Sequence, residues 1–356
     1  MSRERGPDQG SEPTVEPSPV RRAQSAPPDR WADVVVPGEL PDEMTAVRIH
    51  RYGAPPEVER LALPEPGEGE LLVKIAASIV SHFDLTVAAG DFVVRPELPY
   101  TPGIEGSGRV VRVGEGVDPS AVAIGAPVRL HGGGLGAARP GTWADYAVVP
   151  ATAAHGVPRA LAPDIAAACG SVALTAWVAL FEVGSFIRGE RLGVSGATGA
   201  VGSLVVQLAL RHGAAGVVAF LRSKASEQRL VPGVDAVVDP ADAGASVDLL
   251  VDTVGGALLP SRVATVKPGG RAVLVGYTAG EEVRLTVPDL LARDVSLLPV
   301  NMMRRRQPEE LASDLVAQFA TGELHVGTNV FQAKDFPAAV TELWEGRSVG
   351  RTVVVW

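Results

Sequence analysis

Cysteine is almost absent from this sequence, in which Cys169 stands alone among 356 residues. A disulfide within the chain is therefore impossible, and so is a zinc site made of several thiolates. Cys169 lies in the apolar stretch IAAACGSVAL, where a small buried side chain is expected. Because a buried thiol without an activating neighbour is inert, we do not expect Cys169 to act as a nucleophile.

Positive charge and long apolar runs are also scarce. The chain has 32 Lys and Arg against 41 Asp and Glu, so its formal net charge of -9 gives no general attraction to nucleic acid or to an anionic membrane surface. No apolar run approaches the roughly 20 residues that a membrane-spanning helix needs, and the first residues lack the basic-then-apolar pattern of a secretory signal. We expect no nucleic-acid or membrane partner and a cytoplasmic location.

The length and the 46% of hydrophobic residues are typical of a globular protein with two domains. The first segment, residues 1–43, differs from the rest because it holds eight prolines and little to bury beyond Trp31 and the run Val34 to Val36. This composition predicts a disordered, solvated extension. Docking of the extension through Trp31 is the alternative.

The remaining chain shows two kinds of pattern. Short β-type runs separated by Gly and Pro fill residues 44–170, which predicts a small, mostly antiparallel, barrel-like domain. Over residues 171–321 strand and helix patterns alternate, as in a doubly wound parallel sheet. The last segment, 322–356, ends in the apolar strand RTVVVW, which we expect to return to the first domain. The predicted fold class is therefore α/β.

The most informative segment is RLGVSGATGAVGSLVVQLALRHGA, a predicted strand followed by a glycine-rich turn and an apolar helix. Glycines in such a turn bring backbone N–H groups against a pyrophosphate at the helix N-terminus and let the helix pack closely on the sheet. The second strand GVVAFL, at the expected distance, supplies context that a glycine turn alone lacks. The predicted dinucleotide site comprises Ser195, Gly196, Ala197, Thr198, Gly199, Ala200, Val201 and Gly202.

The residues about 20 positions beyond the last glycine indicate which dinucleotide binds. An NAD site usually has Asp or Glu there for the ribose 2′-hydroxyl, whereas an NADP site has cations for the 2′-phosphate. This chain has Arg222, Ser223 and Lys224. Guanidinium, hydroxyl and ammonium groups bind a phosphate that a carboxylate would repel, so we predict NADPH as the cofactor.

Six motifs together resemble the zinc-independent branch of the medium-chain dehydrogenase/reductase family, which includes quinone oxidoreductases, zeta-crystallin-like proteins and enoyl reductase domains. They are TPGIEGSGRVVRVGEGV, GTWADYAVVP, LTAWVAL, SGATGAVG, VDTVGG and KPGGRAVLVG. The resemblance covers residues 44–356. It implies a Rossmann domain, a discontinuous GroES-like catalytic domain built from both ends of the ordered chain, an active site in the cleft between them, and a homodimer.

The resemblance also implies that no catalytic zinc is bound. Zinc-dependent relatives have a Cys where this chain has Ser81, a His where it has Ile104, and a four-cysteine lobe that is missing here. A hydroxyl and an aliphatic side chain cannot replace thiolate and imidazole ligands. The six histidines are scattered without a ligand-like pair. We therefore expect no metal.

Further cofactor contacts are implied by the resemblance alone. They are Thr175 near the nicotinamide, Gly276 and Tyr277 beside its ring, Val300 and Asn301 at the carboxamide, and Arg351 at the pyrophosphate.

The substrate loop VSHFDLTVAAGDF departs from the family pattern, because zinc-free relatives typically have Asn at the position of Ser81. Hydride delivery to an enone needs a hydrogen-bond donor at the carbonyl oxygen and then a proton at the α carbon. The catalytic candidates are Ser81, as that donor, with Asp84 and Tyr277. Asp84 has the alternative role of holding the loop through backbone hydrogen bonds. His82, Tyr100 and water are further proton sources.

These features favour an NADPH-dependent reductase of a small conjugated carbonyl compound, namely a quinone, an enone or an enoyl thioester. One alternative is an NADPH-binding biosynthetic enzyme with a different reaction, which the altered loop and the unusual segment PVNMMRRRQPEEL would permit. Another alternative is a binding or structural protein of the zeta-crystallin type.

Overall fold

The computed structural model describes residues 29–118, 122–243, 247–305 and 307–356, so the predicted extension over residues 1–28 lies outside the described part. The strands are β1 (Glu43–Arg48), β2 (Glu57–Ala62), β3 (Glu70–Val80), β4 (Glu105–Val113), β5 (Pro127–His131), β6 (Tyr146–Pro150), β7 (Ala154–Gly156), β8 (Arg191–Ser195), β9 (Gly216–Phe220), β10 (Val234–Val237), β11 (Val247–Asp252), β12 (Val266–Leu274), β13 (Ser296–Pro299), β14 (Thr328–Gln332) and β15 (Arg351–Val355). The α-helices are α1 (His82–Ala89), α2 (Pro163–Trp177), α3 (Ala200–Arg211), α4 (Pro240–Ala243), α5 (Leu259–Val263), α6 (Val287–Arg293), α7 (Glu309–Ala320) and α8 (Phe336–Trp344).

A seven-stranded sheet takes strands from both ends of the described chain. Its order is β14-β15-β3-β4-β5-β7, with β6 paired to β3, and its pairs are antiparallel apart from β14 with β15. The C-terminal strand β15 pairs with β3 in a register that places Val353 opposite Ile79, and both side chains are fully buried. The prediction that RTVVVW returns to the first domain is therefore confirmed. Burial of the apolar residues of β15 joins the C-terminal end of the chain to the first domain, which is therefore discontinuous in sequence.

The second sheet has six parallel strands in the order β10-β9-β8-β11-β12-β13. Its central strands are buried on both faces, as parallel strands covered by helices must be; the fully buried residues include Leu192, Val194, Val217, Ala219, Leu249 and Val251. The strand order reverses between β8 and β11, and such a switch point opens a crevice for a dinucleotide. The α/β class with a Rossmann sheet and a mostly antiparallel domain is confirmed.

Helix α2 packs against β3 and β4 and against helices α3 and α7. With a π-helical continuation to Val183, it forms a 21-residue helix that is long and apolar enough, by length and composition, to cross a membrane. The prediction that no apolar stretch approaches this length was wrong, because polar residues interrupt the run without lowering its average much. Its apolar window is 61% buried inside the protein, so core packing accounts for its composition. Cys169 on this helix is fully buried, and burial raises its pKa to about 12, which keeps the thiol protonated.

The N-terminal segment (residues 29–43) corrects the prediction of a solvated extension. Trp31 has no exposed surface and belongs to the largest apolar core. Its carbonyl oxygen accepts a hydrogen bond from Nη2 of Arg109 at 2.6 Å, and Asp29 pairs with Arg159 at 3.0 Å. The alternative, docking of the segment through Trp31, is therefore what the structure shows for residues 29–43. Proline content does not indicate it, because a single large indole can be buried whatever the composition around it.

Candidate functional site

The carboxyl ends of the parallel strands lie along one edge of the Rossmann sheet. Ser195 is in register with Phe220 and Asp252, and Leu274 is in register with Asp252 and Pro299. The loops that follow these strands therefore leave the sheet side by side. They carry most of the predicted cofactor residues, namely 195–202, 222–224, 276–277 and 300–301, so the fold brings these four groups to one edge.

The glycine turn has the geometry of a phosphate loop. Gly196 has φ +66°, and a Cβ there would lie 2.3 Å from Oγ1 of Thr253. A Cβ on Gly202 would lie 2.1 Å from the carbonyl oxygen of Gly196, so the start of α3 packs directly on the turn. Gly199 is the N-cap of α3 and has no side chain to satisfy the N–H groups of the first turn. These N–H groups can bind a pyrophosphate.

Ser195 and Ala197 form the buried framework of this turn. Ser195 is fully buried, and its hydroxyl oxygen accepts the N–H of Thr253 at 3.1 Å. The Thr253 hydroxyl in turn donates to the carbonyl oxygen of Ser195 at 2.8 Å. Ala197 is also buried, whereas Thr198 stays half-buried. The Ser195 side chain therefore ties the ends of two strands together, and the cofactor contacts predicted for Ser195 and Ala197 stay predictions.

Asp252, which we did not single out from the sequence, holds the neighbouring turn of the motif VDTVGG. Its carboxylate accepts the N–H groups of Val254 at 3.1 Å and Gly255 at 2.6 Å, and it pairs with Arg262 at 3.0 Å. Only the family resemblance, and no property of the Asp252 position itself, indicated from the sequence that this turn is functional. This turn contacts Gly276, so Asp252 fixes both the loop after β11 and the loop after β12. Both loops lie at the edge of the sheet formed by the carboxyl ends of the parallel strands, which we call the cofactor edge.

The cationic group follows β9 directly. Arg222, Ser223 and Lys224 are all exposed. Across the described ranges of the chain, neither Arg222 nor Lys224 has a side-chain hydrogen bond or an ion pair. Two cations without an acidic partner, next to a glycine turn, fit a ribose 2′-phosphate better than a ribose 2′-hydroxyl.

The loops after β12 and β13 hold four more predicted residues. Gly276 approaches Thr253 so closely that a Cβ would lie 2.4 Å from its carbonyl oxygen, and Tyr277 is 62% exposed. The side-chain amide oxygen of Asn301, Oδ1, already accepts the N–H of Met303 at 3.0 Å. The Val300 N–H is likewise used, by the carbonyl oxygen of Leu274, so these two residues support the loop.

Thr175 and Arg351 belong to a partly buried network of polar side chains that could not be predicted from the sequence. Its centre is Glu105, which pairs with Nη2 of Arg351 at 2.7 Å and accepts the Ser171 hydroxyl at 2.6 Å. The Thr175 hydroxyl donates to the carbonyl oxygen of Ser171 at 2.8 Å. Burial raises the pKa of Glu105, but Arg351, His131 and Ser171 outweigh it and hold the pKa below its ordinary value. Arg351 thus supplies the cation that the buried carboxylate of Glu105 needs, and its predicted contact with the pyrophosphate stays a prediction.

Ser81 and Asp84 form a capping box at the start of α1. The Ser81 hydroxyl donates to Asp84 Oδ2 at 2.5 Å, and the Ser81 N–H donates to the same oxygen at 2.9 Å. The other oxygen, Oδ1, accepts the N–H of Ile104 at 3.0 Å. Asp84 is fully buried, and burial raises its pKa to about 6 even though these hydrogen bonds oppose the shift. Asp84 thus holds the loop, which was its alternative role, and its charge is poised to change near neutral pH.

The other proton sources differ in access. Tyr100 is 5% exposed, its hydroxyl has no partner in the described residues, and burial raises its pKa far above the ordinary value. Burial lowers the pKa of His82, which therefore favours the neutral form. Tyr100 is accordingly a very weak acid, and His82 takes up a proton less readily than a free imidazole, so neither is a good proton source.

Comparison with known proteins gives relatives along most of the chain. Residues 67–159 match the family model of the alcohol dehydrogenase GroES-like domain, and residues 200–318 match that of zinc-binding dehydrogenase. A zinc-type alcohol dehydrogenase-like protein of Schizosaccharomyces pombe is 30% identical over 288 residues, which cover 76% of this chain and 82% of that protein. The chain belongs to the medium-chain dehydrogenase/reductase family.

Within this family, the quinone oxidoreductase of Rattus norvegicus is 27% identical over 285 residues, covering 75% of this chain and 82% of that protein. The prostaglandin reductase-3 of Bos taurus is 28% identical over 291 residues, which cover 79% of this chain and 72% of that protein. A thermostable alcohol dehydrogenase from Pyrobaculum aerophilum superposes with a TM-score of 0.75 at 26% identity, covering 88% of this chain and all of that one. This medium-chain dehydrogenase/reductase is therefore an oxidoreductase. An NAD-dependent alcohol dehydrogenase of known structure superposes on it with a TM-score of 0.78 at 25% identity, covering 88% of this chain and all of that one.

A catalytic zinc does not fit the donors of this family member. Ser81 engages its hydroxyl with Asp84, Ile104 supplies only a backbone N–H, and Asp84 is fully buried with both oxygens occupied. In the described ranges, the side chains grouped closely enough to hold a metal are His50, Glu57 and Glu59, which do not include the substrate loop. The donor set at the catalytic position therefore lacks the thiolate and imidazole that zinc requires.

Proposed function

We propose that this medium-chain dehydrogenase/reductase is an NADPH-dependent reductase that transfers hydride to a conjugated carbonyl compound without zinc. The substrate class comprises quinones, enones and enoyl thioesters. The observation that carries the proposal is the capping box of Ser81 and Asp84 at the position where zinc-dependent relatives bind their metal. The similarity to a quinone oxidoreductase and to a prostaglandin reductase also supports the proposed reduction of a conjugated carbonyl compound.

The choice of NADPH depends on Arg222 and Lys224. Both side chains are exposed at the end of β9, beside the glycine turn after β8, and the described residues offer them no acidic partner. A charge-assisted hydrogen bond to phosphate contributes roughly 1.5 to 3 kcal/mol when it is well placed. Two such contacts would favour NADPH over NADH by a wide margin.

The choice of substrate follows from how negative charge is stabilised. The cofactor supplies the hydride, and the carbonyl oxygen of the substrate acquires negative charge as the hydride arrives. Reduction of an isolated carbonyl concentrates this charge on one oxygen, for which zinc-dependent enzymes use a Lewis acid. A conjugated system spreads the charge, so hydrogen-bond donors suffice, and one donor in a dry site can be worth roughly 3 to 4 kcal/mol. Ser81 and backbone N–H groups are the donors that this chain provides.

A substrate panel tests the proposal. The absorbance of NADPH, and of NADH in parallel, should be followed with quinones, enones, enoyl thioesters, saturated aldehydes and alcohols. We expect turnover with at least one conjugated class, and faster turnover with NADPH than with NADH. Turnover restricted to saturated aldehydes and alcohols would contradict the proposal, and turnover with no member of the panel would favour the other functions of this fold.

A further inference from the structure

The hydrogen bond between Ser81 and Asp84 determines whether Ser81 can donate to a substrate. A hydroxyl has one proton, and in the structure the Ser81 proton is directed at Asp84 Oδ2, 2.5 Å away. With Asp84 ionised, both carboxylate oxygens accept hydrogen bonds, and Ser81 offers a substrate oxygen only its lone pairs. Two facing oxygen acceptors repel each other. The half-buried Ser81 is then unable to stabilise negative charge.

Protonation of Asp84 reverses this hydrogen bond. A protonated carboxyl has one donor, and the backbone N–H of Ile104 already occupies Oδ1. Oδ2 also accepts a backbone N–H, that of Ser81, but it alone has an acceptor beside it, the Ser81 hydroxyl oxygen at 2.5 Å, so the proton belongs on Oδ2. Ser81 can then turn its own proton toward the cleft. The same two side chains thus have a donating and a non-donating state.

We propose that Ser81 and Asp84 form a proton relay for carbonyl reduction, in which protonated Asp84 makes Ser81 the donor to the substrate oxygen. This inference rests on the proposed function and names the proton source for it. As hydride from reduced nicotinamide adds to the β carbon of an enone, the carbonyl oxygen takes the Ser81 proton, and the Ser81 oxygen takes the Asp84 proton. Asp84 is left as a carboxylate and regains a proton from solvent through Ser81. The enol product then becomes the saturated ketone, so that one hydride and one proton have been added.

The surroundings of Asp84 keep both its ionised and its protonated form accessible near neutral pH. Its own helix α1 carries His82, while Glu105 at the start of β4 and Tyr100 in the loop before β4 face it. Burial is the largest influence and raises the pKa of Asp84 to about 6, with the Glu105 charge acting in the same direction. Among the residues that the structure describes, Asp84 has no cation as a hydrogen-bond or electrostatic partner.

The experiment is single-turnover oxidation of NADPH, preloaded on the enzyme, by an enone or a quinone between about pH 5 and about pH 8. The wild-type rate of hydride transfer should fall as pH rises, with an inflection near the pKa of Asp84. Ser81→Ala should be slower by about a hundredfold at low pH and should lose the inflection. Ser81→Thr keeps the hydroxyl and is the matched control, so it should keep the inflection.

Asp84→Asn gives the relay a second test. Its amide can donate permanently to the Ser81 hydroxyl while its oxygen still accepts from Ile104, so its rate should not depend on pH in this range. The variant loses the hydrogen bond from the Ser81 N–H to Oδ2, which lowers the stability of the loop and adds no titrating group. Dissociation constants for NADPH should be unchanged in all three variants, because none of these residues lies at the cofactor edge of the sheet.

Two results overturn the relay alone: an enzyme that turns over but retains the inflection in Ser81→Ala, or one whose Ser81→Ala rate equals that of the wild type. If Asp84→Asn fails to fold, the comparison of Ser81→Ala with Ser81→Thr still decides between these outcomes. Absence of turnover by the wild-type enzyme with every conjugated substrate refutes the proposed function and the relay together.

Discussion

Replacing Trp31 by Ala should lower the free energy of unfolding by about 3 kcal/mol. Truncation of a fully buried Trp to Ala typically costs about 3 to 5 kcal/mol, through lost apolar burial and the cavity left behind. Trp31 has no exposed surface, so the full cost applies. Its Nε1–H is buried without an acceptor among the described residues, and removing an unsatisfied donor recovers about 1 kcal/mol or more. The balance places the expected loss at the lower end of the range.

Urea unfolding followed by far-UV circular dichroism measures this loss, with NADPH absent so that binding does not mask it. Val35→Ala is the matched control, because Val35 lies in the same segment but is 62% exposed and should change stability by less than about 0.5 kcal/mol. Deletion of residues 1–40 should destabilise at least as much as Trp31→Ala, while deletion of residues 1–28 leaves Trp31 in place. Equal stability of the wild type and Trp31→Ala would refute the docking of this segment.

Three further predictions concern the site. The double variant Arg222→Ala with Lys224→Ala should reduce the preference for NADPH over NADH by about a hundredfold, measured by fluorescence titration, whereas Lys334→Ala should not. An unchanged preference would place the phosphate pocket elsewhere. The pKa of Asp84 is raised from 3.8 to about 6 in the folded protein, so the stability it contributes is present below about pH 4 and lost as pH rises through about 6. Relative to Asp84→Asn, the wild type should therefore lose about 2 kcal/mol between about pH 4 and about pH 6 in urea titrations, of a total of about 3 kcal/mol that is fully lost only well above pH 6, and parallel profiles would contradict the shift. Exhaustive chelation should leave activity intact, and stoichiometric zinc removed together with activity would overturn the zinc-free mechanism.

The cofactor edge could be predicted from the sequence because its signals are local. The turn from Gly196 to Gly202 lies between a strand and a helix, and these two glycines are required by contacts within a few residues or with the neighbouring strand end. The cations at Arg222 and Lys224 follow their strand directly. Once the strand order is that of a doubly wound sheet, such residues must share one edge.

Partners that are distant in the sequence could not be predicted in this way. Arg351 pairs with Glu105, 246 positions away, and nothing near either residue indicates the other. Trp31 likewise finds its place among side chains far along the chain. Ser195 lies within the predicted motif, but its side chain is turned toward Thr253 by a hydrogen bond between two strand ends. Composition and local motifs carry no information on such pairings.

The position of the transferred hydride tests the central claim most directly. NADPH with deuterium at its transferable position should be oxidised by the enzyme, after chelation, with an acyclic enone as the substrate. If the enzyme reduces conjugated carbonyl compounds, mass spectrometry and NMR of the product should find the deuterium on the β carbon of a saturated ketone. Deuterium on the carbonyl carbon of an unsaturated alcohol, formed only when zinc is restored, would contradict the proposed reaction.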